Sequence, residues 1–462
     1  MNSVLSVTSR RNMFSPSDTI VAVATPPGRG GIGVVRISGP IAQEVAATVV
    51  GRSAPFERRR ATMADIRVGG AAIDRTVVTF FPGPHSYTGE NVVEISAHGS
   101  PVVLRAIVEA AMRAGARLAE PGEFTFRAYL HGRIDLVQAE AVRDLVDAVT
   151  PLQVRAAFDQ LDGTLTARIR EIDTALFELA VRLEASLDFP EEGYHFIAPG
   201  SAAEEIGAIR HDIESLLADA RRGRLVREGA QVVILGRPNS GKSSLFNRLA
   251  GSGRAIVTAI PGTTRDLVTE LIDIEGMAIT IVDTAGLHGA PSDAVEEEGI
   301  ARARAAKEVA DLSLVVLDGS RPLNQDDEAL IAETSDRPRL VIVNKHDLPR
   351  NWSAGAVNMP ALDVSATTGH GLDDLRRSIA AALSGTERLS DTPAVTNTRH
   401  ADLLAKASTV LQRAAAAADA GTSEEFVAAD LAEARALLEE VTGARTADDL
   451  LEEIFAKFCI GK

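Results

Sequence analysis

The chain has 462 residues, 45% of them hydrophobic, and a formal net charge of −16. That length implies two or three cores rather than one, and the apolar fraction is that of a globular protein. The acidic balance excludes nucleic-acid binding through a general positive field, and no run of about 18 apolar residues suggests a membrane span.

Any RNA contact must therefore be local. The clusters Arg58-Arg59-Arg60 and Arg221-Arg222, with Arg224 and Arg227 nearby, read as solvated surface arginines. The single cysteine, Cys459, permits no internal disulfide. That fits a reducing, cytoplasmic setting. Residues 1–17 hold Arg10, Arg11 and several serines but no acid, and they lack the apolar core of a secretory signal. They are expected to be an extension, disordered or not native, and the plainest reading makes Met13 the start and the first twelve residues foreign to the native chain. A short organellar transit piece is the alternative.

Residues 18–131 read as a mixed α/β domain. Strands are predicted at 19–24 and 33–38 around a Gly/Pro loop at 26–31. A second pair, 77–81 and 92–96, flanks the Pro- and Gly-rich segment 82–89. A helix over 102–114 is stopped by Gly115. From 135 to 227 the pattern turns helical. Leu161, Leu165, Ile169, Ile172, Leu176, Leu179, Leu183 and Leu187 step by threes and fours. This predicts one face of one long helix, ended by Pro190.

Residues 229–385 alternate strand and helix in the doubly wound manner. Apolar runs at 232–235, 279–282, 314–317, 340–343 and 362–364 suit buried parallel strands. Residues 386–398 read as a polar linker, and 399–458 as helical again. The fold class expected is multidomain, α/β plus all-α. A helical bundle domain in two parts, 132–227 and 387–462, carries an inserted Ras-like domain, 228–386, behind the N-terminal domain.

Gly236-Arg-Pro-Asn-Ser-Gly241-Lys242-Ser243 matches G-x4-G-K-S between a predicted strand and a predicted helix. Such glycines let backbone N–H groups wrap phosphates, and the helix N-terminus adds partial positive charge. Lys242 is expected to reach the outer phosphates and Ser243 to bind Mg²⁺. Asn239, Ser240, Gly241 and Ser244 complete the phosphate contacts. Asp283-Thr284-Ala285-Gly286 ends another strand. There Asp283 would hold Mg²⁺ through water, and the Gly286 amide would face the γ-phosphate. Asn344-Lys345-His346-Asp347 follows, with a carboxylate able to accept two hydrogen bonds from the guanine edge, which adenine does not offer. Ser365-Ala366 supplies a backbone amide for the guanine oxygen. The four pieces in this order resemble the translation-factor-related GTPases, with GTP as the substrate.

Two departures sharpen the chemistry. Leu287 stands where Ras-like proteins carry a water-orienting Gln. Asn239, with the stretch Thr258-Ala259-Ile260-Pro261-Gly262-Thr263-Thr264-Arg265-Asp266, resembles the potassium-activated GTPases. That resemblance implies Asn239, Thr258, Ile260 and Thr263 at K⁺ and Thr264 at Mg²⁺. A monovalent cation there would neutralise charge developing between the phosphates.

The remaining motifs lie at the two ends. They are Thr25-Pro-Pro-Gly-Arg-Gly-Gly-Ile-Gly33, Arg36-Ile-Ser-Gly39, Phe81-Pro-Gly-Pro84, Tyr87-Thr-Gly-Glu90, His98-Gly99, Pro121-Gly-Glu-Phe124, Asp135-Leu-Val-Gln-Ala-Glu-Ala141 and the final Phe458-Cys-Ile-Gly-Lys462. Together they resemble the MnmE (TrmE) family of tRNA modification GTPases, from about Asp18 to Lys462. The resemblance implies an N-terminal folate-binding domain that forms a homodimer, a helical domain and an inserted G domain. It implies an FAD-dependent partner, MnmG (GidA). The pair adds an aminomethyl or carboxymethylaminomethyl group to carbon 5 of the wobble uridine of certain tRNAs. The one-carbon unit comes from a tetrahydrofolate derivative, in its 5-formyl or 5,10-methylene form. GTP hydrolysis drives the two G domains together and apart.

By the same resemblance the folate residues are Arg36, Glu90, Arg133 and Lys462. A carboxylate such as Glu90 accepts from the pterin's donor edge, and cations suit the anionic glutamate tail. A member of the family carries Lys at position 133, where this chain has Arg; the charge is kept, but the geometry does not automatically follow. Taken alone, Arg36 and Arg133 read as ordinary surface ion pairs. Cys459 reads either as an apolar plug or as the reactive thiol that the family's reaction needs. Glu296 is implied to position the attacking water, with Glu297 as its substitute after a one-residue insertion. Two rivals stand beside this reading. A ribosome-assembly GTPase would need a basic module for rRNA. A GTP-switched scaffold would leave the modification chemistry to its partner.

Overall fold

A computed structural model of the chain describes residues 18–68, 70–188, 201–252, 268–283, 310–352, 357, 359–385, 392, 394–421 and 423–462. They fall into two compact units, one ending at Arg143 and taking in Thr442–Lys462, the other spanning Asp144–Val441.

The first unit runs β1 Ile20–Val23, β2 Gly30–Ser38, α1 Ala42–Val49, β3 Thr62–Val68, β4 Ala71–Phe81, β5 Val92–Gly99, α2 Pro101–Arg113, β6 Arg117–Leu118, α3 Glu123–Leu130 and α4 Leu136–Asp147. Its sheet has the order β3-β4-β5-β2-β1-β6. All neighbours are antiparallel except β1 and β6. Alternation in β2 and β5 sends Val35, Ile37, Val93 and Ile95 into a core shared with Val45 of α1 and Ile107 of α2. Pro101 opens α2, where its missing N–H costs nothing.

The expected strands are present, but β2 begins at Gly30, inside the segment read as a loop. Gly99 explains this: a Cβ there would stand 2.6 Å from the Gly30 oxygen, so the two glycines let the strands approach closely. Among the described side chains of the edge strand β3, Ile66 alone is buried deeply enough to join the core.

The second unit begins with α5 Pro151–Leu161, α6 Thr164–Asp188, α7 Ser201–Leu217 and α8 Ala220–Glu228. It continues with β7 Ala230–Leu235, α9 Lys242–Ser252, β8 Val268–Ile274, β9 Met277–Asp283, β10 Leu312–Asp318, α10 Gln325–Glu333, β11 Arg339–Asn344, β12 Ala361–Asp363 and α11 Leu372–Ser384. Helices α12 Thr398–Asp419 and α13 Glu424–Thr442 follow. The sheet order is β12-β11-β10-β7-β9-β8. It is parallel throughout except for β8, which pairs antiparallel with β9. The apolar runs are buried on both faces, as parallel strands require.

The long stripe is real but belongs to two helices. Leu161 ends α5, and Gly163, at φ 87°, breaks the chain before α6. Leu165, Ile169, Ile172, Leu176, Leu179 and Leu183 are then buried along one face of α6; Pro190 lies outside the described residues. The segment read as a polar linker is tightly held at its end. Val395, Thr396 and Asn397 are buried, and a Cβ on Gly223 of α8 would collide with the Val395 oxygen. Arg227, read as solvated, donates to Asp144 at 2.6 Å.

The helical stretch after residue 399 divides into three: α12, α13 and α14 Asp448–Ala456. The last returns to the first unit. There Phe455 meets the ring of Phe126 edge-on with centroids 5.0 Å apart, and the Tyr129 hydroxyl donates to the Gly443 carbonyl.

Candidate functional site

The phosphate-binding loop lies between buried β7 and α9. A Cβ at Gly236 would stand 2.5 Å from the Val316 oxygen. At Gly241, with φ 95°, it would stand 2.1 Å from the Asn344 Nδ2. Neither position admits a side chain, so the loop can turn tightly against its neighbours. Asn239 also takes a left-handed backbone, at φ 65°, and is exposed. The buried Ser240 hydroxyl has no hydrogen-bond partner among the described residues. A tight turn of this kind, with glycines at both ends, suits the wrapping of a phosphate chain.

Lys242 is buried and donates to the carbonyls of Gly236 and Arg237, each at 2.9 Å. Burial pulls its pKa down, and the nearby negative Asp283 works against that pull. Asp283 is itself buried at the end of β9, in register with Ile234 of β7. Ser243 and Ser244 are exposed in the first turn of α9. One hydroxyl and one carboxylate fit a hard, oxygen-seeking ion such as Mg²⁺.

Asn344 binds three segments into one frame. Its Nδ2 donates to the Ser240 carbonyl at 2.9 Å, and its Oδ1 accepts from the Ala366 N–H at 3.1 Å. Beside it, the Ser365 hydroxyl donates to Asp347 Oδ1 at 2.5 Å and accepts from the Thr368 N–H at 3.1 Å. Asp347 remains exposed. Lys345, at φ 66°, donates to Asp318 Oδ2 at 2.7 Å. Burial raises the Asp318 pKa, but bonds from Lys345 and Ser320 outweigh it and hold the carboxyl below the ordinary range. Sequence reasoning missed Asp318, whose signal was its place opposite Asn344 at the end of β10.

The predicted residues Ser240, Gly241, Lys242, Asp283, Asn344, Lys345, Asp347, Ser365 and Ala366 thus converge. Thr258, Ala259, Ile260, Pro261, Gly262, Thr263, Thr264, Thr284, Ala285, Gly286, Leu287, Glu296 and Glu297 lie outside the described residues.

A second constellation lies in the first unit. Arg36 on β2 pairs across the sheet with Glu94 on β5 at 2.9 Å. Its guanidinium lies 5.1 Å from the ring centre of Tyr87 and 5.7 Å from that of Phe124. The chain's last residues dock here. Ile460 bridges to Pro121, and Gly461, at φ 98°, lies so close to Val23 that a Cβ would stand 2.2 Å from its carbonyl oxygen. Lys462 is thereby brought beside Arg36 and Glu94. Partial burial and Arg36 lower its pKa, while Glu94 and Cys459 oppose them. Two cations and two aromatic rings around one carboxylate fit a flat, anionic ligand. Cys459 is exposed, which removes the plug reading.

Glu90 stands in a different network. It accepts from Arg127 Nη1 at 3.0 and 3.2 Å and from the Ser38 hydroxyl at 2.7 Å. Arg127 is only 1% exposed and also bonds Asp18 and Glu123. Neither Arg127 nor Glu94 was singled out from the sequence, because neither belongs to a nucleotide motif. Arg133 is exposed, with its Cγ beside Gly89.

Both parts of the chain have relatives among known proteins. Residues 19–133 match the model of the GTP-binding protein TrmE N-terminus, and residues 136–459 match that of the MnmE helical domain. The tRNA modification GTPase MnmE of Koribacter versatilis is 43% identical over 451 residues, covering 96% of this chain and 99% of that protein. The chain belongs to the MnmE family of tRNA modification GTPases.

Its counterpart from Nitrosomonas europaea is 43% identical over 453 residues, 97% of this chain and 100% of that protein. Among solved structures, the G domain of the T. maritima FeoB iron transporter is 28% identical. It covers 33% of this chain and 98% of that one, with a TM-score of 0.26. MnmE-family membership makes the chain a GTP-hydrolysing enzyme and overturns the ribosome-assembly alternative. No described helix is long and apolar enough to cross a membrane.

Proposed function

We propose that this chain hydrolyses GTP at the 236–243 loop in the service of wobble-uridine modification of tRNA. The observation that carries the reading is the Asn344 amide, which bonds the phosphate loop and the Ser365-Ala366 loop at once. Phosphates and base are then held by one frame, so a guanine bound at Asp347 fixes where the γ-phosphate lies.

In this reading Lys242 holds its charge against the outer phosphates. Ser243, Thr264 and Asp283 hold Mg²⁺, with Asp283 acting through water, and Asn239, Thr258, Ile260 and Thr263 hold K⁺. The cations supply neutralisation of charge as it develops. Glu296 or Glu297 positions the attacking water, a task that Leu287 cannot perform. Arg36, Arg133 and Lys462 receive the anionic part of a tetrahydrofolate derivative. Glu90, already held by Arg127 and Ser38, offers the pterin its remaining acceptor capacity, since a carboxylate has about four lone-pair sites. Cys459 serves as a thiol in the modification step. The protein acts in the cytoplasm as a homodimer with an FAD-dependent MnmG partner.

The test is nucleoside analysis of tRNA from a strain lacking this chain. Loss of the aminomethyl-type groups at carbon 5 of wobble uridines is expected, and their full retention sinks the assignment. In vitro, GTP turnover should be far faster in K⁺ than in Na⁺; equal rates remove the potassium residues from the scheme.

A further inference from the structure

We infer that the rings of His346 and His370 clasp the two base-reading loops together and set how long a guanine nucleotide stays bound; this rests on the nucleotide-site reading above. The rings are stacked, with centroids 4.5 Å apart and planes 11° from parallel. Both residues are exposed, so burial does not force them into contact. The two histidines come from different loops. His346 lies between Lys345 and Asp347, just beyond β11. His370 closes the turn that starts at Ser365, just beyond β12.

The surrounding bonds show what the clasp would hold. The His346 N–H donates to the Val364 carbonyl at 3.1 Å, and the Ser365 N–H donates to the His370 carbonyl at 3.0 Å. Gly371, at φ 72°, lies so close to β12 that a Cβ would stand 2.2 Å from the Asp363 oxygen, which fixes the base of the turn. The same two loops are joined by the bond from Ser365 Oγ to Asp347 Oδ1, which orients the carboxylate that reads guanine. Separating the rings would loosen the outer part of the 365–370 turn, and with it the Ser365 hydroxyl, while Asn344 still holds the Ala366 N–H. Asp347 would then lose its orientation while the phosphate loop kept its own bonds. The histidines are therefore positioning residues that act through Asp347 and Ser365.

The test uses the full-length protein and a fluorescent GDP, with release followed by stopped flow. Given what a stacked aromatic pair contributes, H370A and H346A should each release GDP roughly two- to tenfold faster. H370F, which keeps a flat ring, should stay within about twofold of the parent. Because inosine lacks the amino group that Asp347 accepts from, the preference for GDP over IDP should fall in H370A by a factor similar to the gain in release rate. The double variant H346A/H370A should be no faster than either single one, since both remove the same contact. Unchanged release in H370A, no rescue by H370F, or additive effects in the double variant would overturn the clasp while leaving the nucleotide site standing. A parent protein that binds no GDP would instead overturn the site reading, and the clasp with it.

Discussion

Two buried cations among the described residues, Arg127 and Lys242, are handled in opposite ways. Arg127, in the first unit, is surrounded by the carboxylates of Asp18, Glu90 and Glu123, and Arg117 braces two of these. Lys242, in the second, donates to two neutral carbonyls, with Asp283 as its supporting charge. A guanidinium neutralised by its own fold is architecture. An ammonium buried against carbonyls, as Lys242 is, suits an anion supplied from outside, which under the proposed function is the phosphate chain of GTP. The difference marks which buried charge holds the molecule together and which waits on its substrate.

The sharpest way to break this contrast is Arg127→Met. It leaves up to three carboxylates without their shared partner and should cost about 3–5 kcal/mol of stability. Thermal unfolding checks it; an unchanged midpoint would show that the cluster is not structural. Lys242→Ala should do the reverse. GTP turnover should fall roughly a hundred- to a thousandfold, while the melting temperature holds or rises, because a buried cation has gone. A large loss of stability in Lys242→Ala would erase the distinction.

A smaller effect is expected at Asn344→Ala, which strips a partner from the Ser240 carbonyl and the Ala366 N–H. GDP affinity should weaken by about 1–3 kcal/mol, measurable by calorimetry. The smallest effect is a pH dependence. The folded-state pKa of Asp318 is lowered by Lys345 and Ser320 against the opposing pull of burial. Its contribution to stability is therefore present above the ordinary aspartate pKa and is lost as pH falls through the depressed value. Asp318→Asn should flatten the acid limb of the stability curve below the ordinary aspartate range. An unaltered acid limb would place the linkage elsewhere.

Much of the second unit was legible because its chemistry is contiguous. The phosphate loop is a run of eight residues, and β7, β9, β10 and β11 are apolar runs buried on both faces. The antiparallel edge strand β8 was not foreseen, since its Glu270 and Asp273 dilute the apolar signal. The break between α5 and α6 was hidden because Leu161 keeps the helical step across Gly163. The end of the supposed linker was misread because a few polar residues do not reveal that Val395–Asn397 will be buried.

In the first unit the motifs pointed to a family but not to a geometry. Arg36 and Glu94 lie 58 positions apart, and Lys462 stands at the far end of the chain. Only the sheet register and the docking of Ile460-Gly461 bring them together.

Sequence alone therefore determined the GTPase class and the family, because each depends on residue types at fixed local spacing. Tertiary structure decided the rest: that Asn344 locks phosphate and base loops into one frame, that Arg127 engages Glu90, and that Lys462 meets Arg36. These are pairings across long separations. Their partners are selected by strand register and by which backbone can approach which, and no local pattern records that choice.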